Sequence, residues 1–446
     1  MPLAPTAYRL LALVILFIFS LVGPAGCAPP PATTSADPLG TLQFLESWPE
    51  GTVLNTPAFS EAYQIWPQVL QGARKSIEVG SFYYSRKGDG RDANGPDSAA
   101  DRLLPSTAAL RSAAERGVAV RVLGDAKFQK NYPEFLAEMD ALPGAASRAI
   151  DLGPLWGGVM HAKYFVVDDH ILYVGSQNWD WRALTQIREL GALIDHPGLA
   201  AKLKRVFAMD WALAGGEGAG GDVPAAMDDA DQNHIHQALA DPAFADLRPA
   251  RLQAPDGRLV DAYLAASPRA GLPAGIPWDL PLLREMIDGA TKSVRCQVLS
   301  YHVSDRDGGY FPDLDVALRR AAARGVQVRL LVSNWSKVSY KLPWLQSLAA
   351  VRNITVKFSN IPQLRDGFIP YGRVEHPKYM VVDGTAAWVG TSNWSGDYFH
   401  SSRNVSLFFR GAGAAEPLEE FFARGWDSPY TEVVDPCGEY TPPRRK

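Results

Sequence analysis

The chain has 446 residues, 47% hydrophobic and 21% charged, the balance of a globular protein rather than a disordered or fibrous one, and its length fits roughly two to four domains. Lys and Arg number 44 against 48 Asp and Glu, a formal net charge of −4, so no global basic field can hold duplex DNA by counterion release and any phosphate chemistry needs a local cationic pocket. Three cysteines exclude a disulfide-stapled scaffold.

Residues 1–26 carry one charge, Arg9, ahead of the apolar run Leu10 to Val22. That run is too short to span a bilayer comfortably and has the pattern of a signal peptide. Gly23, Ala25 and Gly26 precede Cys27, and residues 27–50 begin as a Pro/Ala/Thr tether. The arrangement resembles a bacterial lipoprotein site, with Pro24 where a Leu is usual; cleavage after Ala28 and a signal anchor are the alternatives. The expected location is extracytoplasmic, secreted or anchored to a membrane by lipid on Cys27.

From residue 51 the chain repeats itself. Ala73-Arg-Lys75-Ser76-Ile77 recurs as Ala290-Thr-Lys292-Ser293-Val294, Arg116-Gly117-Val-Ala-Val120 as Arg324-Gly325-Val-Gln-Val328, and His161-Ala-Lys163-Tyr-Phe-Val-Val-Asp168 as His376-Pro-Lys378-Tyr-Met-Val-Val-Asp383. Blocks recurring in one order at nearly one offset indicate a duplicated domain rather than a short-period solenoid. Each copy predicts an apolar strand (Ile77–Tyr84; Val294–Tyr301), an Ala-rich helix (Ala108–Arg116; Leu314–Arg324) stopped by Gly117 or Gly325, and a strand of alternating valines. A hairpin turning at Asp168-Asp169-His170 or Asp383-Gly384 follows, then a further strand (Leu190–Ile194; Val405–Phe409). Strands alternating with helices indicate an α/β fold. The expected domains are 51–214 and 256–435, with a Gly/Ala/Asp-rich linker at 215–255 and a tail at 436–446. His234 and His236 in the linker lack further ligands at metal-site spacing, so no metal and no cofactor is expected. Cys296 and Cys437 could pair in an oxidising compartment or stay single.

The chemistry is concentrated in the third block. His161 and Lys163, like His376 and Lys378, are two apart on a predicted strand and share a face. Gly175-Ser-Gln-Asn178 and Gly390-Thr-Ser-Asn393 follow at matching distance, each ending in an amide donor. Two facing copies would surround one point with two imidazoles, two ammoniums and two amides, a site for a phosphate diester. The cations and amides would stabilise the phosphoryl oxygens. One imidazole could attack phosphorus and form a phosphohistidine, and the other protonate the departing oxygen and then activate water or an alcohol. Two structural histidines on strands would leave the matching Lys and Asn unexplained.

These paired motifs resemble the phospholipase D superfamily. The stretches from Val159 to Lys163, Gly175 to Arg182, Leu184 to Gly191, Gly390 to Phe399 and Trp426 to Tyr430 are similar to the lysosomal phospholipase D type three and type four exonuclease group of mammals. The resemblance implies two α/β/α sandwich domains related by a pseudo-twofold, with the active site at their interface. It implies His161 as nucleophile, His376 as general acid and base, and Lys163, Lys378, Asn178 and Asn393 as phosphate ligands. It also implies that Glu189 orients an active-site imidazole; the matching position in the second copy is Asn404, so one histidine should have a neutral partner and be less basic. Asp168 and Asp383 are expected to be structural. Trp179, Trp181, Trp394, Tyr398 and Phe399 flank the site, as core or as surfaces for stacking bases. The implied activity is a metal-independent phosphodiesterase on single-stranded DNA or RNA. The alternatives are phospholipase D or phosphatidyl transfer on membrane phospholipids, and a non-catalytic phosphate-binding module. The oligomeric state is left open.

Overall fold

The computed structural model describes residues 38–89, 100–215, 243–304, 309–365 and 367–446; the signal segment, Cys27, His234 and His236 lie outside the described residues. Within them the duplication is visible strand by strand. In the first half, Ala145–Ile150, Ala119–Asp125 and Ser76–Gly80 are parallel neighbours. Tyr164–Val167, Ile171–Gly175, Ile187–Asp195 and Gly40–Ser47 continue the sheet antiparallel. The second half repeats the order with Ile354–Ser359, Gln327–Ser333 and Ser293–Val298 in parallel, then Tyr379–Val382, Ala386–Gly390, Asn404–Arg410 and Leu259–Ser267. Thr431–Val433 adds an outer strand beside Ile354–Ser359.

Two segments behave differently from their sequence expectation. Gly40–Ser47, placed in the tether, is the first half's counterpart of Leu259–Ser267. Ala250–Gln253, placed in the linker, pairs parallel with Gly40–Ser47 and antiparallel with Leu259–Ser267. It therefore joins the two half-sheets by main-chain hydrogen bonds, satisfying edges that would otherwise be open.

Helices cover the sheet because each carries one apolar face. The predicted helices appear as Leu104–Glu115 and Asp313–Ala323. The following glycines, Gly117 (φ +86°) and Gly325 (φ +94°), take the left-handed conformation that ends a helix. One buried cluster draws on both halves, combining Leu42, Phe44, Leu190 and Phe207 with Leu407, Phe409, Leu418 and Phe421. The long helices Pro197–Gly215 and Ala412–Trp426 contribute to it, so the halves share a core. Cys296 is buried, Cys437 exposed, and both are free thiols.

The hairpin aspartates act on the backbone. Asp168 (φ +51°) accepts the N–H groups of Arg74, Lys75 and Ser76 at 2.7–3.0 Å. Asp383 (φ +55°) accepts those of Thr291, Lys292 and Ser293 at 2.7–2.8 Å, together with the Thr291 hydroxyl. Partial burial pushes each carboxyl up, but these donors outweigh it and hold both below the ordinary carboxylate range. Each turn is thereby tied to the start of the neighbouring parallel strand.

Candidate active site

The His–Lys pairs do not lie on the strands themselves. His161 to Lys163 and His376 to Lys378 are extended segments leading into Tyr164–Val167 and Tyr379–Val382. Each runs beside a strand of the opposite half. Met160 bridges Arg403 in parallel, His161 N–H donates to the Arg403 carbonyl at 3.0 Å, and Arg403 N–H donates to that of Val159 at 3.0 Å. In mirror fashion Ile187 and Arg188 pair with Val374 and Glu375, and His376 N–H donates to the Arg188 carbonyl at 2.9 Å. Gly158 permits the first approach: a Cβ there would lie 2.7 Å from the Ser402 nitrogen.

This exchange gives each imidazole an orienting partner from the other half. His376 Nδ1 lies 2.9 and 2.8 Å from the two carboxylate oxygens of Glu189. His161 Nδ1 lies 3.0 Å from Asn404 Oδ1. The Asn404 amide is fixed in orientation, since its NH2 donates to the carbonyls of Tyr398 (2.8 Å) and Ser402 (3.3 Å) and its oxygen accepts the Thr391 hydroxyl (2.8 Å). His161 must then donate from Nδ1, which leaves a lone pair on Nε2. Buried ion pairs brace both strands: Arg188 with Glu375 at 3.3 Å and Arg403 with Asp210 at 2.9 Å.

A cavity of about 620 Å3 contains His161, His376, Asn178 and Asn393 in its wall. The Asn178 amide oxygen is buried with no hydrogen-bond partner among the described residues, while that of Asn393 accepts the Ser300 N–H at 3.4 Å. Lys163 and Lys378 lie beneath the wall, fully buried, each ammonium donating to the carbonyl of its own motif histidine. Glu189 is likewise fully buried.

The site is strongly polarised. Burial, then the charges of Lys163 and Lys378, hold the His161 imidazole well below its ordinary range, and Asn404 opposes them. Burial and the charges of Lys378, Lys163 and His161 do the same to His376. Burial raises the Glu189 carboxyl to about 8, against the pull of Lys378 and Lys163. Burial brings Lys378 down to about 7, against Glu189, and burial with Lys378 lowers Lys163. A monoanion among these groups supplies the opposite charge and moves both lysines and the imidazole beside Glu189 back toward their protonated forms, while the amide-partnered His161 keeps Nε2 free.

Of the flanking aromatics singled out in the sequence, Trp179, Trp181, Trp394 and Phe399 are core, and Tyr398 lines the cavity, its ring centroid 4.9 Å from that of His161. The sequence reading missed Phe82, Tyr83, Phe128, Tyr132, Trp335 and Tyr371, which supply most of the aromatic wall. Phe82 and Tyr83 sit where the chain leaves the sheet after Gly80, short of the predicted strand end. Phe82 packs on Phe128 at 4.0 Å between centroids, and Tyr83 stacks on Tyr132 at 5.4 Å. Phe128 and Trp335 are counterparts: each follows the end of its half's second parallel strand, where Asp125 caps Lys127 and Phe128, and Ser333 caps Trp335. The signal available was an aromatic close behind the last residue of a buried parallel strand, where α/β sheets place ligands.

Comparison with known proteins gives a consistent picture. Residues 67–211 and 283–426 each match the family model for the cardiolipin synthase, PLD-like domain. The chain is 34% identical over 420 residues to a Bos taurus protein named 5′-3′ exonuclease PLD3, covering 89% of this chain and 81% of that one. It is 32% identical over 403 residues to a Dictyostelium discoideum protein named phospholipase D Z, covering 89% and 91%. Among solved structures, phosphatidylserine synthase of Haemophilus influenzae superposes with a TM-score of 0.57 at 14% identity, covering 88% of this chain and 87% of that one, a likeness of fold.

Proposed function

This chain belongs to the phospholipase D-like family, and on that premise we propose a phosphodiesterase that works through a phosphohistidine and degrades single-stranded nucleic acid from its 5′ end. The observation carrying this reading is one aromatic-walled cavity that presents two imidazoles with unlike partners. In the first step His161 Nε2 attacks phosphorus as the bond to the leaving oxygen breaks, and His376, protonated and held by Glu189, gives its proton to that oxygen. His376 is then the base that takes a proton from water; the resulting hydroxide attacks phosphorus and His161 departs. Asn178 and Asn393 donate to the non-bridging oxygens, while the two buried lysines stabilise the added negative charge. Phe82, Tyr83, Phe128, Tyr132 and Trp335 offer faces to the bases, which stack with little regard to sequence.

A phosphatidyl substrate is the second reading, favoured by the apolar positions Val159, Ile187, Leu299 and Val374 in the same wall and by the relative named phospholipase D Z. A 5′-phosphorylated oligonucleotide carrying a fluorescent 3′ label and a labelled phosphatidylglycerol, assayed side by side over about pH 4–8 with and without EDTA, separate the two. Shortening of the oligonucleotide that persists in EDTA is the expected result. Lipid consumed with the oligonucleotide intact replaces the nuclease by the lipid enzyme, and neither consumed leaves a binding module. The leader and Cys27 support export and lipid attachment; among the described residues no helix is long and apolar enough to cross a membrane. Cys27→Ala is expected to release the protein from the membrane fraction.

A further inference from the structure

We propose that Arg444 and Arg445 form a phosphate clamp beside the cavity, gripping the backbone of a single strand beyond the nucleotide being removed. The proposal rests on the nucleic-acid reading above and assigns a role to residues 441–446, which the duplicated domains leave over. This segment lies along the second half's side of the cavity. Tyr371 and Trp335 both line the cavity, their rings 6.3 Å apart. Tyr371 N–H donates to the Arg445 carbonyl at 2.9 Å, and the Arg445 guanidinium lies 5.8 Å from the Trp335 ring centroid. Arg444 covers Phe368 at 4.2 Å. Tyr371 has φ +58°, a conformation that a bulky residue keeps only where its surroundings hold it, and the bond to Arg445 is one such hold.

The charges are arranged for an anion. Arg444 and Arg445 are exposed. Lys341 is partly buried; burial, then the charge of Arg445, brings its ammonium down to about 8. Arg444 Nε donates to the Lys446 carbonyl at 2.7 Å, leaving its terminal nitrogens for an anion, whereas nearby Lys337 is paired with the Glu432 carboxylate. In a chain of net charge −4, two adjacent exposed arginines beside the cavity residues Trp335 and Tyr371 are the local field that a polyanion needs. A strand whose terminal base stacks in the aromatic cavity would leave past Trp335 and meet these cations next.

The test compares Arg444→Ala/Arg445→Ala with wild type on a thymidine dinucleotide, which ends at the cleaved diester, and on a longer oligothymidylate, each over a salt series. The expected result is a KM for the oligonucleotide raised roughly three- to tenfold, with its log–log salt slope reduced by about 0.7 per lost phosphate contact. The dinucleotide kcat/KM should stay within about twofold, and Arg444→Lys/Arg445→Lys should restore the slope. Unchanged KM and slope on the oligonucleotide, with the dinucleotide cleaved normally, overturn the clamp alone. Wild-type protein that cleaves neither nucleotide substrate overturns the nuclease reading and the clamp with it.

Discussion

Glu189→Gln preserves the shape of the contact with His376 and removes the carboxylate that balances the ring's charge once His376 is protonated. The two carboxylate oxygens at 2.9 and 2.8 Å are buried with the ring, so water cannot replace what is lost. A hydrogen bond to a charged group contributes about 1.5–3 kcal/mol and a neutral one about 1 kcal/mol. The imidazolium should lose roughly 1–2 kcal/mol, a fall of about one pKa unit. The sign follows from the role. The acid must be protonated, so kcat/KM falls as pH rises through its pKa, and lowering that pKa moves the alkaline limb to lower pH. Near neutrality the rate should drop about five- to thirtyfold. A leaving-group comparison then isolates the proton transfer. Stopped-flow bursts are measured with a nucleoside p-nitrophenyl diester, whose phenolate departs with little help, and with a substrate that releases a sugar alkoxide. The p-nitrophenol burst should stay within about threefold of wild type while the alkoxide reaction shows the full loss. Equal losses on both substrates, or an alkaline limb that does not move, refute His376 as the acid held by Glu189.

His376→Ala with the p-nitrophenyl diester should release one equivalent of p-nitrophenol and then stall at least about a hundredfold below wild type, with the phosphoryl group found on His161 by peptide mapping; a burst in His161→Ala instead would reverse the two roles. Phe128→Ala should raise the oligonucleotide KM about five- to a hundredfold, the loss of one stacked base at about 1–3 kcal/mol, with bis-p-nitrophenyl phosphate unaffected; equal KM values would take the base off this ring. Asp383→Ala should lower stability to urea by about 1–2 kcal/mol, allowing for solvent at the turn, with kcat per folded molecule retained. Because the folded carboxyl lies below its ordinary range, that contribution is present above the unfolded pKa and disappears as pH falls through the folded one; a wild-type advantage that grows in acid contradicts the assignment.

The duplication and the paired motif were legible because both leave marks on neighbouring residues. His161 with Lys163, Gly117 after its helix and Asp168 at its turn are local patterns that recur in the second copy. The crossed partnership was not legible. That Glu189 serves His376 and Asn404 serves His161 depends on Met160 lying beside Arg403 and Arg188 beside Glu375, contacts between segments far apart in the chain. Spacing from the nearest histidine singled out Glu189 and Asn404 but could not assign either to a ring. Gly40–Ser47 was missed because the Pro/Ala/Thr composition before it masks the alternation of Leu42 and Phe44 with Thr41 and Gln43. Ala250–Gln253 was missed because four residues in a linker-like stretch give too short a pattern to distinguish a strand. Phe82 and Tyr83 look like a continuation of the preceding strand until the backbone is seen to leave the sheet at Gly80.

Because Asn404 is carried by one copy and governs the ring of the other, a tandem duplication need not touch either histidine for their duties to diverge. A single codon, remote along the chain from the ring it contacts, is what gives the two imidazoles unlike partners. By the same token, cutting the polypeptide in the linker would yield two fragments, each holding an imidazole parted from its Nδ1 partner, and only their reassembly would bring the pairs back together.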